Sequence, residues 1–155
     1  MKKLIYTGLS STAVFSPNLF AETQTELDAD MKLIKAYIEN SDKFDFTKEL
    51  NFQIKLAKST YKKQKDALTK IDIMLAFSKK RNTSARKALT DFGMKDPKSE
   101  DILYFFMEKA QDAKDKKSLA IAGKLFFESS FKEKLNKEHP YYDILSEAAY
   151  SYNFE

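Results

Sequence analysis

Apolar residues recur along most of the chain at intervals of three and four, the spacing of one helical face. Leu27, Met31, Ile34 and Ile38 form the first such stripe and predict a helix from about Thr25 to Glu39. Thr25 is placed to cap it, with Glu26 and Asp28 favourable in its first turn. Asn40-Ser41-Asp42-Lys43 is a polar break. A second pattern begins near Asp45 or Thr47 and runs through Phe46, Leu50, Ile54, Ala57, Tyr61, Leu68, Ile71 and Leu75 towards Lys80. The polar stretch Lys62-Lys63-Gln64-Lys65 interrupts it, yet no Gly or Pro marks a stop, so one long helix and two shorter ones both remain open. A short third segment spans about Ser84 to Phe92, with Gly93 where a left-handed closing residue is expected. A fourth opens at Asp96-Pro97, a capping residue followed by proline, and carries Leu103, Phe106, Met107 and Ala110. The fifth covers about Lys116 to Leu135. It contains Gly123, which costs about 1 kcal/mol against alanine inside a helix and points to a close helix crossing. The sixth starts at Pro140 and carries Ile144, Leu145, Ala148, Ala149 and Tyr152. Every long element reads as helix, so the expected fold is all-α, a small helical bundle or a short array of helical hairpins.

Asp-Ile recurs near helix starts in Asp72-Ile73-Met74-Leu75, Asp101-Ile102-Leu103 and Asp143-Ile144-Leu145. The stretch from Pro140 to Leu145, leading to Ala148-Ala149-Tyr150, resembles the opening of a hairpin in helical-repeat proteins of the tetratricopeptide kind. There, small residues let helices approach and aromatic rings fill the next layer. The three strings are unequally spaced and do not match that repeat length. Chance recurrence of an acidic residue in a first helical turn and a divergent repeat both remain open, and no family membership follows.

The N-terminus adds a location. Met1-Lys2-Lys3 is a short positive segment, Leu4 to Phe15 is uncharged and moderately apolar, and Leu19-Phe20-Ala21 offers a small residue before Glu22, the first acid of the chain. This is the layout of a cleaved secretory signal peptide over residues 1–21, with a single helical domain over 22–155 and a periplasmic or secreted destination. The uncharged stretch is too broken by Ser, Thr, Asn and Pro for a good membrane span, and no transmembrane segment is expected in the mature chain. Net charge is +4 over 155 residues, from 27 Lys+Arg against 23 Asp+Glu, and Lys2 and Lys3 supply part of the excess.

Composition then removes chemistries. With no Cys and one His, thiolate zinc sites, disulfides, cysteine nucleophiles and two-imidazole metal sites are excluded, and three glycines leave no glycine-rich phosphate loop. His139 precedes Pro140 and reads as a capping or surface residue. Asp28 and Asp30 sit two apart on a helix, where they do not face one another. No catalytic residue, metal ligand or cofactor motif stands out. The basic runs at Lys62–Lys65, Lys79–Arg81 and Lys114–Lys117 are interrupted by acids, so nucleic acid is not an expected partner and weak contact with an anionic envelope surface is the most they suggest. Aromatic residues make up 14% of the chain. Adjacent rings in Tyr104-Phe105-Phe106 point in directions about 100° apart, so one buried stripe does not hide them all. Tyr104, Phe105, Tyr141, Tyr142, Tyr150 and Tyr152 are therefore the candidate partner-binding residues. The expected role is a non-enzymatic subunit, adaptor or accessory factor that contacts another envelope or secreted protein. The alternatives are a helical enzyme or inhibitor acting on an envelope polymer, in the manner of a lysozyme-like hydrolase or its regulator, and a secreted effector or toxin.

Overall fold

The computed structural model describes the backbone of residues 18–153 and the side chains of residues 24–150. The expected signal peptide lies outside the described residues as far as position 17. The described residues form seven α-helices and no strand: α1 (Asn18–Glu39), α2 (Thr47–Thr60), α3 (Lys65–Ser78), α4 (Asn82–Phe92), α5 (Ser99–Asp112), α6 (Lys116–Phe127) and α7 (Tyr142–Asn153). A 3-10 turn, Ser130–Lys134, lies between α6 and α7. None of these helices is long and apolar enough to cross a membrane.

Several boundaries differ from the sequence reading, each for a local reason. Thr25 lies inside α1 rather than at its cap. The long second pattern is two helices. Tyr61 is buried and donates its hydroxyl to Asp30 Oδ2 on α1 at 2.6 Å, while Gln64 N bonds back to Tyr61 O at 2.8 Å, so the chain turns around an anchored ring without needing Gly or Pro. Helix α5 begins two residues beyond Pro97. Asp96 Oδ1 accepts from Lys98 N at 2.8 Å, and the buried Ser99 donates to Gly93 O at 2.7 Å, pinning the turn before the helix starts. Gly93 has the positive φ, +80°, that favours glycine, but with ψ 175° it closes the helix in an extended glycine conformation rather than the left-handed helical one expected. Helix α6 stops at Phe127, eight residues short of the expected Leu135. Ser129 donates to Phe126 O at 2.6 Å and accepts from Phe131 N at 3.2 Å, diverting the chain into the 3-10 turn.

Consecutive helices pack on one another, and several alternate pairs also touch. Thus α1 contacts α3, α3 contacts α5 and α5 contacts α7 in one layer, while α4 contacts α6 behind them and α2 rests mainly on α1. Hairpins α3–α4 and α5–α6 are built to one plan. Lys65 and Ser99 open their first helices, Ser78 and Asp112 end them, and Asn82 and Lys116 open their second helices, each pair 34 positions apart. Both first helices close on a lysine of left-handed conformation, Lys80 and Lys114, each with φ +56°. The closing bonds also match: Arg81 N to Ala76 O at 2.8 Å with Lys80 N to Phe77 O at 3.0 Å, and Asp115 N to Ala110 O at 2.9 Å with Lys114 N to Gln111 O at 3.0 Å. This paired closure satisfies the last helical carbonyls. The Asp-Ile strings fall outside this register, since Asp72 corresponds to Phe106 and not to Asp101.

Two cores share α3. Ala67, Ile71 and Met74 pack with Leu27, Ile34, Ile54, Ala57 and Tyr61; Ile73, Ala76 and Phe77 pack with residues of α4 to α7, including Leu89, Phe106, Phe126 and Leu145. An ion pair reinforces the larger one. Asp115 caps α6 through Ser118 N at 3.2 Å and also meets Arg86 of α4 at 3.4 Å, with both side chains largely buried.

The crossing inferred at Gly123 is present. A Cβ there would stand 2.6 Å from Ala148 O and 2.9 Å from Ala148 C, so α6 and α7 meet backbone to side. A carbonyl cannot rotate away as a side-chain tip can. Gly123→Ala should therefore lower stability by about 1–3 kcal/mol in urea unfolding, although alanine is the better helix former. An unchanged or raised midpoint would show that α7 is free to shift.

Candidate functional site

The structure divides the six candidate aromatics. Tyr104 is only 7% exposed and belongs to the larger core, which corrects its expected place on a partner-facing surface. Its ring is held from several sides: stacked on Tyr141 at 4.5 Å and 16°, edge-on to His139 at 5.5 Å and tilted to Phe126 at 6.3 Å. Tyr141 and Tyr142 are half-buried, and Tyr150 is 66% exposed on α7. The side chain of Tyr152 lies outside the described residues. Phe105, one position beyond Tyr104, turns the other way and packs half-buried against both cores.

A chain of polar contacts surrounds Tyr104. His139 Nδ1 accepts from Tyr141 N at 3.1 Å, which leaves the ring proton of the neutral imidazole on Nε2, 3.2 Å from the Tyr104 hydroxyl. That hydroxyl donates to Glu100 Oε2 at 2.6 Å, and Lys134 donates to Glu100 Oε1 at 2.8 Å. The capping role expected of His139 is thus present at the entrance to α7, together with a contact to α5 that spacing did not reveal. Burial, the largest influence on Glu100, pushes its carboxyl up. Hydrogen bonds from Lys134 and Tyr104, with the Lys134 charge, outweigh burial and hold it below its usual value. Burial and the Glu100 carboxylate push the Tyr104 phenol well up, and burial with Glu108 does the same for Tyr141. These shifts fix protonation states rather than poise a proton for transfer at neutral pH. The network is a clasp that ties the 3-10 turn and the start of α7 to α5.

The open part of the molecule lies on the other side of α5. Helices α1, α3 and α5 border a continuous groove in two lobes. One lobe, of about 400 Å³, lies among Lys35, Ile38, Glu39, Met74, Phe77 and Lys109. The second, of about 250 Å³, runs past Leu27, Met31, Lys32, Lys70 and Phe105. Met74 and Lys35 line both. The Phe105 ring is flanked by two ammonium groups, Lys70 Nζ at 5.4 Å and Lys109 Nζ at 5.3 Å from its centroid. Acidic and basic residues on the rim are balanced in number, and several are paired within the protein: Lys70 with Asp101 at 2.7 Å, Lys98 with Asp66 at 3.4 Å and Lys35 with Glu39 at 3.8 Å. The groove therefore offers an apolar floor between balanced walls, suited to an apolar side chain carried on a polar backbone. Of the candidate residues only Phe105 reaches it. Met31 and Ile38 read in the sequence as ordinary stripe positions, and nothing in their spacing shows that the stripe stays partly uncovered. Among the described residues no cluster of acidic and histidine side chains is placed to hold a metal ion.

Two measurements follow. Tyr141→Ala removes a stacked ring and should lower stability by about 1–2 kcal/mol, read by thermal or urea unfolding; unchanged stability would return Tyr141 to the surface. The clasp also has a defined pH sense. A carboxyl with a depressed folded-state pKa stabilises above its unfolded value, near 4.5 for Glu100, and that contribution is lost as pH falls through the folded value. Glu100→Gln should thus cost most at neutral pH, and the gap from wild type should narrow in unfolding at pH about 3. No protein family, no characterised protein and no solved structure matches this chain.

Proposed function

We propose that the protein is an exported helical adaptor, a short array of hairpins of the tetratricopeptide kind that holds a segment of another envelope or secreted protein in the α1–α3–α5 groove. The repeat reading is supported by the 34-position correspondence between hairpins α3–α4 and α5–α6, since 34 residues is the length of that repeat. Stacked hairpins of this type present one helix of each pair on a shared binding surface, and α1, α3 and α5 are the helices so aligned. The observation that carries the functional reading is the groove itself, with Phe105, Met31 and Ile38 only half-buried along it. A monomer leaves such apolar surface uncovered where a partner covers it. Tyr150 and Tyr142 on α7 extend the candidate contact surface at the far end of the array. Export rests on the leader-like pattern of residues 1–21, and the protein recovered from its cell should begin at Glu22.

The groove reading is tested by site-specific photo-crosslinking in the native cell. A photoreactive residue in place of Lys35, on the groove wall, should give one discrete adduct. The same residue in place of Lys87, exposed on α4 behind the groove, should give none. Equal adducts from both positions, or none from Lys35, would reject the groove as the contact surface.

A further inference from the structure

A second site adjoins one end of the groove, where the link between α1 and α2 folds back against the end of α3. Tyr37, Phe44 and Phe46 gather there. The Phe46 ring lies 4.9 Å from Tyr37 and 5.7 Å from Phe44, at interplanar angles of 44° and 46°. All three line a pocket of about 220 Å³ whose wall also includes Asp45, Asn51, Ser78 and Lys79. Phe44 is 62% exposed, so burial in the core does not explain its presence. Three rings tilted to one another suit a rounded group touched on several faces better than a flat one. Ring faces attract cations, and alkylated ammonium groups are the ligands that aromatic cages recognise.

The two charges on the wall narrow the ligand. Asp45 Oδ1 accepts from the hydroxyl of Thr47 at 2.7 Å and from its backbone N–H at 3.1 Å, which fixes the carboxylate and holds its pKa below the ordinary range. No ion pair engages Asp45 or Lys79 among the described residues. A bare cation would gain from Asp45 and be repelled by Lys79; a bare anion would meet the reverse. A molecule carrying both charges satisfies each. We propose that this pocket binds a small zwitterion, with its alkylated ammonium among Tyr37, Phe44, Phe46 and Asp45 and its anionic end at Lys79. The pocket adjoins one end of the α1–α3–α5 groove, sharing Ile38 and Ser78 with it, but the rings that define it lie outside the groove and its occupancy does not depend on the adaptor reading.

The test is a calorimetric or NMR titration of the full chain with three probes: trimethylglycine, choline, and the neutral isostere of choline in which carbon replaces nitrogen. Trimethylglycine should bind best, choline more weakly, and the isostere not measurably. Phe44→Ala should weaken trimethylglycine by about two- to fivefold, the share of one exposed ring. Asp45→Asn, which keeps an acceptor for Thr47, should weaken both trimethylglycine and choline, so loss there is loss of charge and not of fold. Lys79→Gln should erase the advantage of trimethylglycine over choline. Equal binding of the neutral isostere would overturn the proposal, as would no binding by any probe. Equal affinity for choline and trimethylglycine in the wild type would overturn the role of Lys79. Vesicles of phosphatidylcholine separate the two carriers of this chemistry. Sedimentation with vesicles that trimethylglycine competes away assigns a membrane headgroup; free binding without vesicle association assigns a dissolved solute; either upholds the site.

Discussion

Helix α3 has to be covered on two sides. Ala67, Ile71 and Met74 occupy one face and Ile73, Ala76 and Phe77 another, and all six are buried. A helix with apolar residues on opposed faces is stable in water only between neighbours. Helices α1 and α2 supply one neighbour, and α4 with α5 supply the other. The rest of the architecture is arranged around this requirement. Truncating Ile71 or Ile73 would remove side-chain contacts from one core, yet weaken the helix on which the other is built. The molecule is thus continuous through a single 14-residue element rather than two units side by side.

The periodicity of apolar positions was enough to read the fold class and the location of nearly every helix. It was also enough at Gly123, where one costly residue in a helix announced the approach of Ala148. The boundaries were less legible because they are set by side chains reaching across space. Tyr61 splits the second pattern by bonding to Asp30 from 31 positions away. Ser129 ends α6 with a hydroxyl bond to the preceding turn, a signal too small to outweigh Phe131 lying in register with the apolar stripe. The 34-position correspondence of helix ends escaped for another reason. Asp-Ile strings drew attention because they share letters, whereas the correspondence of α3–α4 with α5–α6 is carried by helix ends and by lysines in a conformation usually given to glycine.

The candidate site was legible only in part. Neighbouring rings in Tyr104-Phe105-Phe106 do point to different surroundings, as helical geometry requires. Which of them faces outward depends on where α1 and α7 lie, and this is a property of the assembled layer. Tyr104 is enclosed because the link before α7 brings His139 and Tyr141 over it. Phe105 remains partly accessible because α1 does not pack closely on α5 and the groove lies between them. The aromatic pocket by α2 drew no attention in the sequence because Tyr37 and Phe44 lie outside the apolar stripes, while Phe46 reads there as an ordinary stripe residue.

Phe105 is the half-buried ring that rests on both cores. Whatever presses on it from the groove presses on both halves of the protein together. Occupancy and rigidity are then thermodynamically linked: a guest that prefers the assembled array makes every opening of either core rarer, in proportion to its concentration over its dissociation constant. Under the proposed groove function, the empty protein would be the looser form and the guest a final structural member.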